Sequence, residues 1–182
     1  MIIVLLFNNS CIRPSLIKPF KNYSLPLQTV NLKTKGIYIC EDNGESFFLY
    51  EDGKMQILGS YFIESWENSN KKIHDYLKGS IYYNSKDGWG HYYINGDSIF
   101  LQYFNRNGDE FYKRWIFEMN GNIITNSMIQ ISSDYSTLGN DAFNSNIGIY
   151  KFYDYENKSD STKAWFIKKK WYRNNLHPDR KK

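Results

Sequence analysis

Three histidines, His74, His91 and His177, and two cysteines, Cys11 and Cys40, are the residues to ask first about chemistry. A metal site needs its ligands clustered, as in His-x-His or a histidine beside a carboxylate pair. His74 falls on a predicted helix, His91 on a predicted strand and His177 in a basic tail. Asp75 follows His74 directly, so on a helix the two side chains diverge. Only Asp87 and Asp97, close to His91 in sequence, offer an acid–base partner, and that is a weak basis for catalysis. No nucleophile elbow, Walker loop, His-Glu-x-x-His, Cys-x-x-Cys or dinucleotide fingerprint occurs. The histidines therefore read as structural. No catalytic residue, metal ligand or cofactor is assigned, and the chain reads as a non-enzyme.

Polar groups set among aromatic strands are the other place for chemistry. Side chains alternate between the faces of a strand. In 89–94, Trp89, His91 and Tyr93 share one face, while Gly90, Tyr92 and Ile94 share the other. In 98–104, Ile99, Leu101 and Tyr103 oppose Phe100, Gln102 and Phe104. In 110–119, Phe111, Lys113, Trp115, Phe117 and Met119 oppose Tyr112, Arg114, Ile116 and Glu118. Both faces are rich in aromatics, and two readings fit. One face lines a ligand cavity, with Trp89, Tyr92, Gln102, Arg114, Trp115 and Glu118 as candidate contacts. Alternatively, the outer rings are covered by the N-terminal tether or tolerated as amphipathic tyrosines.

The elements that must hold these residues are short. The chain has 182 residues, 18% of them aromatic, with Lys+Arg 23 against Asp+Glu 19. That aromatic content excludes disorder over most of the length, and two cysteines exclude a disulfide-dense scaffold. No run approaches the ~18 consecutive apolar residues of a membrane-spanning helix. From about Thr34 onward, apolar runs alternate with the turn dipeptides Asn43-Gly44, Asp52-Gly53, Asp87-Gly88, Gly96-Asp97, Asn107-Gly108 and Asn120-Gly121. The runs between them predict strands at 35–41, 46–51, 54–63, 80–84, 89–94, 98–104, 110–119, 123–131, 148–155 and 162–172. Ile73, Tyr76 and Leu77 place one short helix at Lys71–Lys78. Ser132 to Asn146 reads as a long loop. Hairpin-only connectivity favours an all-β, antiparallel up-and-down barrel of about 8–10 strands over a sandwich.

The N-terminus opens Met1-Ile2-Ile3-Val4-Leu5-Leu6-Phe7, then Asn8-Asn9-Ser10-Cys11, followed by a polar stretch with Pro14, Pro19 and Pro26. Residues 7–11 resemble the signal of Bacteroidetes-type bacterial lipoproteins. The resemblance implies a signal segment at 1–10, a tether at 11–33, and a Cys11 that carries a diacylglyceryl group on sulfur and a further acyl chain on its amine. Multiple acyl chains anchor stably where one does not. A secreted chain without lipid and an intracellular chain with an N-terminal strand are the alternatives. Cys40 lies in a predicted strand, where it reads as a small buried hydrophobe. A Cys11–Cys40 disulfide would require an oxidising compartment and an unacylated Cys11.

From Gly36 to Trp171 the chain resembles the lipocalin-like barrels of such lipoproteins. The residues that carry this are Gly36-Ile37-Tyr38, Phe48-Leu49-Tyr50-Glu51-Asp52-Gly53-Lys54 and Gly90-His91-Tyr92-Tyr93-Ile94-Asn95-Gly96-Asp97-Ser98-Ile99. The barrel domain is thus placed at 34–173, with a basic tail at 174–182. Cations gather near the end, at Lys168, Lys169, Lys170, Arg173, Arg180, Lys181 and Lys182, interleaved with Trp165, Phe166, Trp171 and Tyr172. A last strand ending in a soluble tail, a membrane-surface contact and a nucleic-acid grip all fit this pattern. Export argues against nucleic acid. The expectation is a non-enzymatic protein held at the cell envelope by Cys11, binding a small apolar ligand or a partner surface. Its rival is an assembly protein docking through exposed aromatics.

Overall fold

Alternating apolar residues make each strand two-faced, and the hairpin turns lay successive strands side by side. The result, in a computed structural model that describes residues 31–60, 74, 87–106, 114–136 and 146–176, is a closed antiparallel barrel. Its strands are β1 (Gly36–Cys40), β2 (Glu45–Leu49), β3 (Lys54–Ser60), β4 (Trp89–Asn95), β5 (Ser98–Arg106), β6 (Arg114–Thr125), β7 (Met128–Ser136) and β8 (Gly148–Asp154). They run in simple up-and-down order. β8 returns to β1 and closes the sheet, in a register from Gly36↔Asp154 to Cys40↔Tyr150. At one end lie the tight turns at 50–53, 96–97 and 126–127. Gly96 supplies the positive φ (59°) that the second of these needs. The opposite end carries the β1–β2 turn and the connections after β3, β5 and β7.

Two expectations are corrected. Asn120-Gly121 is not a hairpin turn. It lies within β6, where the register against β7 shifts between Asn120 and Gly121, and the chain reverses at Asn126-Ser127 instead. The glycine serves close approach: a Cβ there would lie 2.1 Å from the Gln130 carbonyl oxygen. β7 consequently runs on to Ser136, into the stretch expected to be loop. The second correction concerns 162–172. In place of a strand there are two 3₁₀ turns, Ser161–Lys163 and Trp165–Lys168, and a short helix, α1 (Lys170–Leu176). With β1 and β8 already paired, the sheet has no edge to accept another strand. The Asp160 carboxylate instead accepts a hydrogen bond from the Thr162 amide (2.8 Å) and starts the first turn.

The expected signal segment, Cys11, most of the tether, the strand at 80–84, the Asn107-Gly108 turn and the residues from 177 on lie outside the described residues. So does the helix at 71–78, apart from His74, which is helical.

The alternation resolves into two apolar clusters, one on each side of the wall. Tyr38, Phe47, Leu49, Met55, Tyr92, Ile94, Leu101, Tyr103, Phe117, Met119, Ile129 and Tyr150 point inward, each under a tenth exposed. The Tyr38 ring stacks on Phe47 (5.5 Å between centroids), which meets Tyr150 (4.8 Å), and Tyr103 stacks on Phe117 (5.5 Å). Leu32, just before β1, joins this cluster, and the Lys33 amide donates to the Asn126 carbonyl. The barrel's interior is therefore occupied by its own side chains.

Outside, Ile37, Ile39, Phe48, Tyr50, Leu58, Trp89, Phe104 and Ile116 are buried beneath Tyr155, Ala164, Phe166 and Tyr172. The C-terminal segment, rather than the N-terminal tether, is thus what covers the outer aromatics among the described residues. Phe166 is fully buried, 5.9 Å from the Phe104 ring and 4.8 Å from Tyr172. Truncating a buried phenylalanine costs about 3–5 kcal/mol. Phe166→Ala should lower the urea-unfolding free energy by roughly that much; a loss of under ~1 kcal/mol would mean the segment does not pack on the wall in solution.

Candidate functional site

Three separated pieces of chain meet at the tight-turn end. They are the approach to β1 (Thr34, Lys35), the β2–β3 turn (Tyr50, Glu51, Asp52) and the exit from β8 (Tyr155, Glu156, Lys158, Ser161). Together they line a groove of about 580 Å³. Tyr50 and Tyr155 are almost fully buried and form its aromatic floor, while Lys35, Glu51 and Glu156 stand exposed on its rim. Tyr50 also stacks on Trp89 (5.6 Å), so the groove is one ring removed from a buried tryptophan.

Lys158 organises the site. Its Nζ donates to the Thr34 carbonyl (2.7 Å) and to the Leu49 carbonyl, and lies 3.7 Å from the centre of the Tyr50 ring. One ammonium thus ties the β8 exit to the β1 approach and to the end of β2. Burial pulls its pKa down to about 7, against the upward pull of Asp52 and Glu51. Ser159 reinforces the tie, donating to Gln56 Oε1 (2.5 Å) while its hydroxyl bonds the Tyr50 hydroxyl (2.6 Å). Ser161 donates to Asp52 (2.8 Å), and Lys54 pairs with the same carboxylate. These contacts hold Asp52 below the usual carboxylate range despite its partial burial. Chemically, the groove can take an apolar or aromatic body against its floor and polar ends at its charged rim. Sequence reasoning missed Lys158, Tyr155 and Thr34; only the Asp52-Gly53 turn gave any local signal there.

The residues singled out from the sequence do not converge on one cavity. Tyr92 points inward, and its hydroxyl donates to the Tyr50 carbonyl (2.8 Å). Trp89 packs in the outer cluster. Gln102 and Glu118 do meet, on the outer wall, where the Gln102 amide donates to Glu118 Oε2 (2.7 Å) and Tyr135 donates to the other oxygen. The side chains of Arg114 and Trp115 lie outside the described residues, although both residues belong to β6. His91 is buried on the outer face, and burial lowers its pKa to about 4, with the Lys54 charge adding to the effect. Cys40 is a free, fully buried thiol on β1. Among the described residues no cluster of three or more His, Cys, Asp or Glu could hold a metal, and no helix is long and apolar enough to cross a membrane.

The opposite end of the barrel carries a small acidic cluster. By alternation Glu45 shares the inner face with Phe47, and Asp134, paired with Met119, also points inward. Asp134 is 2% exposed; its Oδ2 accepts from the Asn146 amide (2.5 Å), and its Oδ1 has no partner. The same amide donates to the Tyr103 hydroxyl (3.3 Å), and the Tyr150 hydroxyl donates to the Asn146 carbonyl (2.8 Å). Burial and the neighbouring Asp134 push Glu45 up to about 7. Burial pushes Asp134 up to about 6, with the Asn146 hydrogen bond opposing.

Comparisons with known proteins add no relative: no family model, no curated protein and no solved structure matches the chain.

The two raised carboxyls fix a pH dependence. In the folded protein they retain protons that the unfolded chain has released above the ordinary carboxylate range, so their contribution is complete at about pH 4. It is lost as pH rises through about 6 and about 7. His91 acts in the opposite sense between its ordinary value and about 4, but equally in any variant that keeps it. A Glu45→Gln/Asp134→Asn variant, which has neither titrating group, should therefore gain on wild type as pH rises from about 4 to about 8. Chemical unfolding at several pH values checks this, and a difference independent of pH would contradict it.

Proposed function

We propose that the chain is a non-enzymatic, lipid-anchored cell-envelope protein with a lipocalin-like barrel, and that it binds a small, largely apolar ligand. The site is the groove between the barrel's tight-turn end and the Tyr155–Ser161 segment. The observation that carries this reading is the groove itself. At about 580 Å³ it falls within the ~300–1,000 Å³ usual for small-molecule sites, and it pairs an aromatic floor with a few placed charges. The packed interior supports this placement, because a ligand inside the barrel would have to displace the packed rings of Tyr38, Phe47 and Tyr150. The docking alternative draws on exposed aromatic surface, and most of that surface lies beneath the C-terminal segment. The envelope address rests on the Phe7–Cys11 resemblance.

Binding is measured by titrating amphipathic fluorescent probes, an anilinonaphthalene sulfonate and a dansylated fatty acid, into the full chain. Thr34→Trp fills the groove from its rim without touching the buried floor. It should weaken probe binding at least tenfold while leaving the thermal midpoint within a few degrees of wild type. Equal affinity in the variant and in wild type would remove the groove as the site.

A further inference from the structure

The C-terminal segment has a second face. Phe166 and Tyr172 are buried against the barrel wall, whereas Lys168, Lys169, Lys170 and Arg173 are exposed. None of these four cations takes part in the ion pairs Lys54–Asp52 and Lys151–Glu41 among the described residues. Backbone hydrogen bonds tie the turns that carry them. The Lys169 amide donates to the Phe166 carbonyl (2.8 Å), and the Tyr172 and Arg173 amides both donate to the Lys169 carbonyl (3.1 Å each). Trp165, Ile167 and Trp171 sit half-buried at the base of the cations, and Lys169 Nζ lies 5.7 Å from the Trp165 ring centre.

We propose that this face is an electrostatic docking surface for an anionic membrane. Clustered lysines and arginines are drawn to anionic headgroups, and half-buried tryptophans suit the headgroup layer. Nucleic acid fits less well. Binding single strands depends on open aromatic faces for base stacking. Here the rings are engaged with one another: Trp165 on Phe104 at 5.1 Å, Trp171 on Tyr172 at 5.9 Å and on Phe166 at 6.2 Å. What the segment offers outward is charge with an apolar margin. The surface requires no ligand in the groove and no lipid on Cys11.

The test uses the full chain with Cys11→Ser, so that no acyl chain contributes, in co-sedimentation with vesicles. Vesicles of phosphatidylcholine with about a third phosphatidylglycerol should retain the protein at low salt. Pure phosphatidylcholine should not, and retention should disappear as salt shortens the screening length. Lys168→Gln/Lys169→Gln/Lys170→Gln/Arg173→Gln should weaken retention at least tenfold, with an unchanged thermal midpoint as the folding control. The parallel variant Arg180→Gln/Lys181→Gln/Lys182→Gln should keep most of the binding. Equal retention on neutral vesicles, or loss only in the parallel variant, would overturn the proposal. So would four-cation-dependent binding of a labelled oligonucleotide without vesicle retention. The mass of the wild-type chain made in a bacterial host is read separately: an unmodified Cys11 would remove the lipid anchor and leave this surface untouched.

Discussion

The pairing of β1 with β8 is the constraint on which the rest of the molecule depends. It joins residues more than a hundred positions apart, Gly36 with Asp154 and Cys40 with Tyr150, and turns a row of hairpins into a ring. A ring has an inside and no edges. The inside is lined by aromatic side chains that pack on one another along the wall, as Tyr38, Phe47 and Tyr150 do over β1, β2 and β8. The absence of edges means that apolar sequence following β8 cannot join the sheet and must pack elsewhere. It packs on the outer wall, through Phe166 and Tyr172. Closure thus explains how much of the apolar outer wall comes to be covered.

The same constraint decides where chemistry can happen. With the interior occupied, recesses form where the chain enters and leaves the ring. At the tight-turn end, entry and exit are tied by Lys158, whose ammonium bridges the Thr34 and Leu49 carbonyls over the Tyr50 ring. A buried amine without acceptors is expensive, and here two carbonyls and an aromatic face replace its water. The groove proposed as the ligand site is the space left around that tie. At the other end, burial raises both Asp134 and Glu45, and the charge of Asp134 adds to the rise at Glu45.

Local pattern made much of the fold legible. The Asn43-Gly44, Asp52-Gly53 and Gly96-Asp97 turns, and the separation of Trp89 and His91 from Tyr92 and Ile94 on opposite faces of 89–94, follow directly from turn chemistry and period two; which face turns inward does not. Asn120-Gly121 is ambiguous because the same dipeptide serves both a turn and a close approach within a strand, and only the position of Gln130 distinguishes them. The segment 162–172 is ambiguous because its alternation of aromatic and basic residues fits a half-buried strand and a short amphipathic turn equally well. What separates these is whether an edge remains free, a property of the whole sheet. The groove was illegible for a related reason. Thr34, Tyr50 and Lys158 carry no shared spacing and meet only once the ring has closed; the direct pairing of Gln102 with Glu118 across β5 and β6 likewise depends on a register that alternation does not fix.

Closure itself is therefore what to measure, by amide hydrogen exchange resolved at individual residues on the intact chain. The central amides of β1 and β8 that face each other in the ladder should exchange as slowly as those of β5 and β6, through global unfolding only. Rapid exchange confined to β1 and β8, as in the two edges of an open sheet, would contradict the closed ring and with it the placement of the C-terminal segment and the groove.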